Sequence, residues 1–446
     1  MVNMPLMQGI TCTAPTGATM GILIKNVLAI VPKDGSDAVE RHDIYIDGKT
    51  IAALDAAPAG FVAETTIDGT GRLAIPGLIN AHTHTYMSMM RNAADDLSFT
   101  DWLFNTVQPI EDRLEPEDCY WASLLSQAEM IRTGTTCFND QQMHIHQTTR
   151  AVRESGMRAV IGRGLVGDTY DRADYRLAEA LEEMGDGADC DRLSFRLNPH
   201  APYSCSQDYL RMVADVARER GLGVHIHIAE GQVESDNMWR DHHCTPVEYV
   251  AETGLFDCPT VAAHCIRVNE SDIQILAEHH VSVATNPASN MKLGNGFAPV
   301  PELMAGGVNV CLGTDGVASN NAQNMFREMG LLALIHKGTH DTPECVSADE
   351  TLRIATANGA RALNLNTGAI EAGLLADIAL LDLDTPSMMP NNNLIAALAY
   401  SANGSEVDTV IIDGKIVMEH RELRTIDEER VFAEIRRICH RLGLDK

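Results

Sequence analysis

Between Leu73 and Leu365 the chain alternates short apolar runs with amphipathic stretches, and it does so eight times. The apolar runs are LAIPGLINAHTH, GTTCFND, RAVIGRGLV, LSFRLNPHAP, LGVHIHIAE, TVAAHCI, VSVATNP and VNVCLGTDG. Runs of this kind suit strands buried on both faces. Helix candidates lie between them, such as DYLRMVADVARERG and ESDIQILAEHH. Eight strand–helix units predict an α/β fold, a (β/α)8 TIM-type barrel. A helix over SADETLRIATANGARALNL closes the unit after the eighth strand.

The two ends read differently. GILIKNVLAIV, HDIYIDGKTIAALD and TTIDGTGRL near the start, and ADIALLDLD and VDTVIIDGKIVME near the finish, read as short strands and turns. Asp47-Gly48 and Asp413-Gly414 are hairpin-turn pairs. Similar segments at opposite ends predict one small β-sandwich domain built from both termini. Its pieces are residues 20–73 and 371–446, with the catalytic barrel over 74–370. Residues 1–19, MVNMPLMQGITCTAPTGAT, lack a basic start followed by a sustained apolar stretch. A disordered leader is expected there rather than a signal peptide, with Met20 as an alternative start.

Polar residues collect at the ends of the proposed strands: His82 and His84, Asn139-Asp140, Arg163, His200, His227 and Glu230, His264, Asn286, and Asp315. In a (β/α)8 barrel the C-terminal rim is where the chemistry sits. A random scatter would not place polar groups at nearly every strand end.

Composition narrows the partners. The 34 Lys and Arg against 62 Asp and Glu give a net charge of −28, which argues against nucleic acid. With 446 residues and 45% apolar content the chain can bury a large core, and no run is long enough to cross a bilayer. The eleven cysteines are scattered without a CxxC pair, as free thiols rather than a disulfide framework. The expectation is a cytoplasmic enzyme for a small molecule, with no nucleic-acid or membrane partner and with homo-oligomerisation left open.

His82 and His84, two apart on a strand, point to one side and make a workable metal clamp. The pattern alone is weak, because His144-Ile-His146 and His225-Ile-His227 repeat it. The first of these reads as surface, at a loop or helix start. In the second, His225 lies one layer deeper in the barrel than His227. Each other candidate also has an ordinary reading. His264 can be a satisfied buried histidine, Asp315 a cap on the helix GVASNNAQNMFREM, and Glu111 a solvated helix residue ahead of DRLEPED. Their conjunction on one rim favours function. Three imidazoles and a carboxylate suit a borderline divalent ion such as zinc.

The phrases PGLINAHTH, HIHIAE, AAHC, NPASNMKLGNGFAPVPEL and GTDGVASNN, in that order, carry a resemblance from about Gly21 to the C terminus. The chain resembles the amidohydrolase superfamily, and within it the 5-methylthioadenosine/S-adenosylhomocysteine deaminase family. The resemblance implies a metal held by His82, His84, His227 and Asp315, with Glu230 and His264 as catalytic groups. DDLSFTDWLFNTVQPIE looks like the family's nucleoside-pocket border, which makes Glu111 the ribose anchor. His200 in NPHAPYS matches a substrate-contacting histidine. Arg163 in GRGLV and Arg176 in YRLAEAL match arginines near the carboxylate tail of the larger substrate.

Two-metal relatives bridge their ions with a carboxylated lysine on the fourth strand. Between His82 and Asp315 the only lysine is Lys292, beyond the third, fourth and fifth strands, so one divalent ion per chain is expected, zinc first. The implied reaction is hydrolytic deamination of 5′-methylthioadenosine, S-adenosylhomocysteine, 5′-deoxyadenosine or adenosine by a metal-bound hydroxide. Asp315 takes the water's proton, Glu230 protonates the ring nitrogen, and His264 directs the hydroxide. Glu230 and Asp315 therefore also contact the substrate. The cysteine-ligated deaminase motif, with H-x-E and P-C-x-x-C, is absent. Two alternatives stand beside this reading. One is an amidohydrolase that deaminates or dechlorinates another heterocycle, a triazine or an oxidised guanine, for which a ribose anchor has no use. The other is a non-catalytic barrel, which would be expected to have lost ligands.

Overall fold

The computed structural model describes residues 19–445. The expected leader therefore lies, except for Thr19, outside the described residues. Eight parallel strands follow one another in chain order: Leu78–Thr83, Thr135–Gln142, Arg158–Leu165, Leu193–Pro199, Gly223–Ile228, Thr260–His264, Ser282–Thr285 and Asn309–Leu312. Helices on the outside connect them, as expected from the apolar runs. The first and last strands meet at the rim that carries the polar residues. There the Asp315 amide donates to the His82 carbonyl at 2.9 Å, and the Thr314 amide donates to Asn80 Oδ1 at 3.0 Å. The same bonds that finish the barrel thus set the position of two candidate ligands.

The floor of the barrel is small and apolar. Ile79, Ala81, Cys137, Val160, Val261, Ala284 and Cys311 face one another and are covered by Ala360, Ala362 and Leu363. This cover alters the expected closing helix. The stretch is two helices, Ala348–Ala355 and Ala357–Leu363, broken at Thr356 with φ −131° and ψ −91°. The second piece turns under the barrel, where a side chain on Gly359 would meet Ile79 Cβ at 2.9 Å. Burying that face outweighs continuing a straight helix.

The two termini form one continuous nine-stranded sheet. Its long strand, Thr19–Lys33, pairs with Ser36–Asp47 along most of its length, with Phe61–Asp68 through its first half, and with Arg72–Pro76 further on. Ile378–Asp382 adds to Arg72–Pro76, joining the two ends of the chain. The sheet closes over its own core of Ile24, Ile44, Ile46, Ile51, Ile67, Ile378 and Ile411. Asp413 and Gly414 hold φ of 53° and 70°, the left-handed pair that the tight hairpin requires. The last helix, Glu428–Leu442, leaves this sheet and packs on barrel helix Pro116–Arg132, where Arg441 pairs with Asp118. Arg113 also donates to the Leu442 carbonyl at 3.0 Å. The C terminus therefore buttresses the segment that follows Glu111. Among the described residues, no helix is long and apolar enough to cross a membrane.

Candidate metal centre and active site

His82, His84, His227 and Asp315 come from the ends of the first, fifth and eighth barrel strands, and all four are buried. The ligand nitrogens of His82, His84 and His227 lie within 4.8 Å of one another, as do the ligand atoms of His82, His264 and Asp315. His84 Nε2 is 3.2 Å from His227 Nε2, and Asp315 Oδ1 is 3.3 Å from Nε2 of both His82 and His84.

The other ring nitrogen of each histidine is already engaged. His82 Nδ1 shares a hydrogen bond with His225 Nε2 at 2.8 Å. His84 Nδ1 donates to the Gln141 carbonyl at 2.9 Å, and His227 Nδ1 to the His200 carbonyl at 2.8 Å. His264 Nδ1 donates to Asn290 Oδ1 at 2.8 Å. The bonds to oxygen acceptors fix the tautomer of His84, His227 and His264 and leave Nε2 as the free lone pair, and His82 Nε2 is free in the same way when its Nδ1 donates to His225. His225 is the deeper histidine expected from the fifth strand, and it serves as an orienting partner.

Electrostatics agree with this geometry. Burial lowers His82 to about 4 and pushes His227 well below the usual histidine range, so both stay neutral. His82 Nε2 is nevertheless buried without a hydrogen-bond partner, an orphan that a cation would satisfy. Burial resists a charge on Asp315, but His82 and the surrounding histidines hold its carboxyl well below the ordinary range. Ser289 and Ser319 also donate to Asp315 Oδ2 at 2.6 and 2.9 Å. Neutral imidazoles around an ionised carboxylate are the donor set a divalent metal takes. The residues present fit such an ion.

Backbone strain marks the same rim. Ala229, His264 and Asp315 have φ of 53°, 74° and 63°, a region that non-glycine residues rarely adopt. The turn at Asp315 also separates it from the capping role open to it in the sequence. The long helix Met325–His340 is capped by Asn324 instead.

A cavity of about 500 Å³ opens above the centre. His84, His227, Glu230, His264 and Asp315 line its inner end, and Glu111, Arg163, Arg176 and His200 line it further out. His82 lies behind, fully buried. Burial raises the Glu230 carboxyl, with His264 opposing and Asp315 adding to the effect. Glu230 Oε1 is 4.0 Å from His264 Nε2. Burial alone would lower His264, but Glu230 and Asp315 raise it. Glu111 Oε1 accepts from the Tyr86 hydroxyl at 2.6 Å, and burial raises its carboxyl despite that bond. His200 Nδ1 lies 2.9 Å from Ser204 Oγ, and burial lowers the ring to about 4.

The two arginines differ. Arg163 is held by Glu179 at 2.6 Å and Glu183 at 3.3 Å. Arg176 pairs with no carboxylate among the described residues, and its Nε donates to the Tyr175 hydroxyl at 2.9 Å. His144 and His146, expected at the surface, are half-buried instead. His144 lines the cavity and His146 faces Glu183 at 3.1 Å.

Several residues that position the site escaped the sequence reading. Tyr86 holds Glu111, Asn290 holds His264, and the serines at 289 and 319 hold Asp315. Glu234 accepts the amides of Ala229 and Glu230 at 3.2 and 2.8 Å, supporting the strained turn. Tyr86 follows His84 by two residues, a signal that could have found it.

The model of the amidohydrolase family matches residues 73–417, most of the chain and the whole of this site. The chain belongs to the amidohydrolase family. This amidohydrolase is 44% identical, over 425 residues, to the 5-methylthioadenosine/S-adenosylhomocysteine deaminase of Thermoanaerobacter pseudethanolicus, covering 93% of this chain and 98% of the relative. It is 45% identical over 427 residues to the enzyme of that name from Moorella thermoacetica, covering 94% and 99%. Among solved structures it is similar to an adenosine deaminase from Xanthomonas campestris with bound zinc. The TM-score is 0.90 at 31% identity, covering 96% of this chain and 99% of that one. Atrazine chlorohydrolase from Arthrobacter aurescens shares the fold, with a TM-score of 0.86 at 24% identity over 94% of this chain and 99% of that one. Membership brings a metal cofactor, and the donor set described above is where it fits.

Proposed function

We propose that this amidohydrolase deaminates 5′-modified adenosines hydrolytically, releasing ammonia and the inosine analogue, with one divalent ion per chain, zinc first. The observation that carries the reading is Glu230, a buried carboxyl with a raised pKa, facing the cavity beside His264 and four ligand side chains. His82, His84, His227 and Asp315 would hold the ion. When bound, it supplies Lewis acidity and makes hydroxide available near neutral pH.

The rest of the chemistry belongs to side chains. Glu230, protonated more readily than a free carboxylate, donates to the ring nitrogen beside the reacting carbon and makes that carbon electrophilic. His264, oriented by Asn290, hydrogen-bonds the incoming oxygen and fixes its line of approach. Asp315, kept ionised, accepts the proton of the attacking water. Proton return to the leaving amine completes the exchange of amino group for oxygen. The absence of a lysine on the strands of the centre supports a single ion there.

Substrate selection is a separate matter. Glu111 has one oxygen bound to Tyr86 and offers the other to a ribose diol, whose two hydroxyls are donors. Glu111 and Tyr86 weigh against a free heterocycle. His200 would contact the nucleoside, and Arg163 and Arg176, which line the same cavity, would receive a homocysteine carboxylate. The division into a barrel over 74–370 and a β domain over 20–73 and 371–446 belongs to the same proposal. So does a cytoplasmic location, which the ten free cysteines among the described residues fit.

The test is a steady-state comparison of 5′-methylthioadenosine, S-adenosylhomocysteine, 5′-deoxyadenosine and adenosine with guanine and a triazine. Nucleosides are expected to be turned over and the free heterocycles not. Preferred turnover of guanine or the triazine would overturn the proposal.

A further inference from the structure

Away from the centre, one other group of described side chains brings metal-type donors together. His144, His146 and Glu183 each offer a ligand atom, and these atoms lie within 4.8 Å of one another. His144 precedes helix Ile145–Ser155 and lines the cavity, and His146 is in the helix's first turn. Glu183 comes from the next helix, Tyr175–Gly185. Its Oε2 accepts the Ile145 amide at 2.7 Å, which pins the carboxylate, and its Oε1 is 3.1 Å from His146 Nδ1. All three are half-buried, open enough for an ion to enter and enclosed enough to hold their rotamers.

Arg163 is the obvious obstacle, since its guanidinium is 3.3 Å from Glu183 Oε1. It is held more closely by Glu179, at 2.6 Å. Glu179 therefore keeps Arg163 neutralised when Glu183 turns to a cation. Burial and Arg163 both lower His144, which leaves its imidazole unprotonated and able to donate a lone pair. An ion bound at His146 Nδ1 would take the place of the ring proton shared with Glu183 Oε1, with Gln147, 3.1 Å from Nε2, turning from Arg150 to accept the ring N–H.

We propose that His144, His146 and Glu183 form a second, weaker divalent-cation site beside the cavity. Two imidazoles and one carboxylate select borderline transition ions of the zinc, nickel or copper class over magnesium or calcium. Three protein ligands leave coordination positions for water or for a carboxylate arriving through the mouth. The site does not depend on which nucleoside the enzyme turns over, and it is tested by binding rather than by activity.

Enzyme loaded with zinc and dialysed to its retained equivalent is titrated with further zinc, the free ion being followed with a chromogenic chelator. Wild type is expected to take a second, weaker equivalent. His144→Ala with His146→Ala should remove that equivalent while the first is retained, which also reports an intact fold. Glu183→Gln keeps an acceptor for the Ile145 amide and should weaken the second equivalent by about tenfold or more, as expected for a lost charged contact. A wild type that takes no second equivalent would overturn the proposal. So would a second equivalent that persists in the double variant.

Discussion

The inner end of the cavity and its mouth are built to different standards. At the inner end, the four histidines at 82, 84, 227 and 264 each have a second partner for Nδ1, and Asp315 has two hydroxyl donors. At the mouth, Arg176 has Tyr175 as its one side-chain partner among the described residues, while Phe104 and Tyr175 are 48% and 61% exposed. In the proposed reaction charge and protons would move at the inner end, where orientation set in advance lowers the barrier. In the proposed reaction the mouth would meet the part of the substrate that varies, where looseness costs no catalysis. One cavity thus combines fixed chemistry with a tolerant entrance.

The comparison can be broken at four depths. Removing a ligand at the base, by His82→Ala or Asp315→Ala, should abolish both metal retention and turnover, read by elemental analysis and kcat on the same preparation. Glu230→Gln should keep the metal yet lower kcat by about 10²–10⁴-fold, the usual contribution of a placed acid–base group. Loss of metal in that variant would make Glu230 a ligand instead.

Further out the effects shrink. Glu111→Ala should cost about one to two orders of magnitude in kcat/KM and erase the preference for an intact ribose diol over 2′- and 3′-deoxy forms. Tyr86→Phe should act in the same direction with a smaller loss, because Tyr86 works through Glu111. If wild type ignores those hydroxyls, the ribose assignment is wrong. At the mouth, Arg176→Ala should raise KM for S-adenosylhomocysteine by about tenfold with little change for 5′-methylthioadenosine, through loss of a charged contact to the tail. Arg163→Ala should add to that effect, but less, since Glu179 and Glu183 already occupy its guanidinium. Equal losses on both substrates would remove the arginines from the tail site.

Much of this arrangement was legible in the chain. Eight apolar runs ending in polar residues implied the barrel and its working rim, because strand burial leaves a local signature. Strand ends gather a longer set of rim residues, and it is the resemblance to the deaminase family that picks His82, His84, His227 and Asp315 from it as ligands. The hidden parts are contacts between segments far apart in sequence. Nothing local tells that His225 backs His82 or that Tyr86 holds Glu111. The break at Thr356 was hidden too, since helical periodicity runs through it and only the barrel floor demands the turn. His144 and His146 look like surface residues in the sequence because their partner Glu183 lies on the following helix.

Product analysis in water enriched in heavy oxygen tests the central claim most directly. Zinc-loaded enzyme is incubated with 5′-methylthioadenosine, and the products are read by mass spectrometry alongside an ammonia assay. The account predicts the intact 5′-methylthioinosine nucleoside, one heavy oxygen on its base, and one ammonia per product. A free base with a released sugar, or turnover without ammonia, would contradict it.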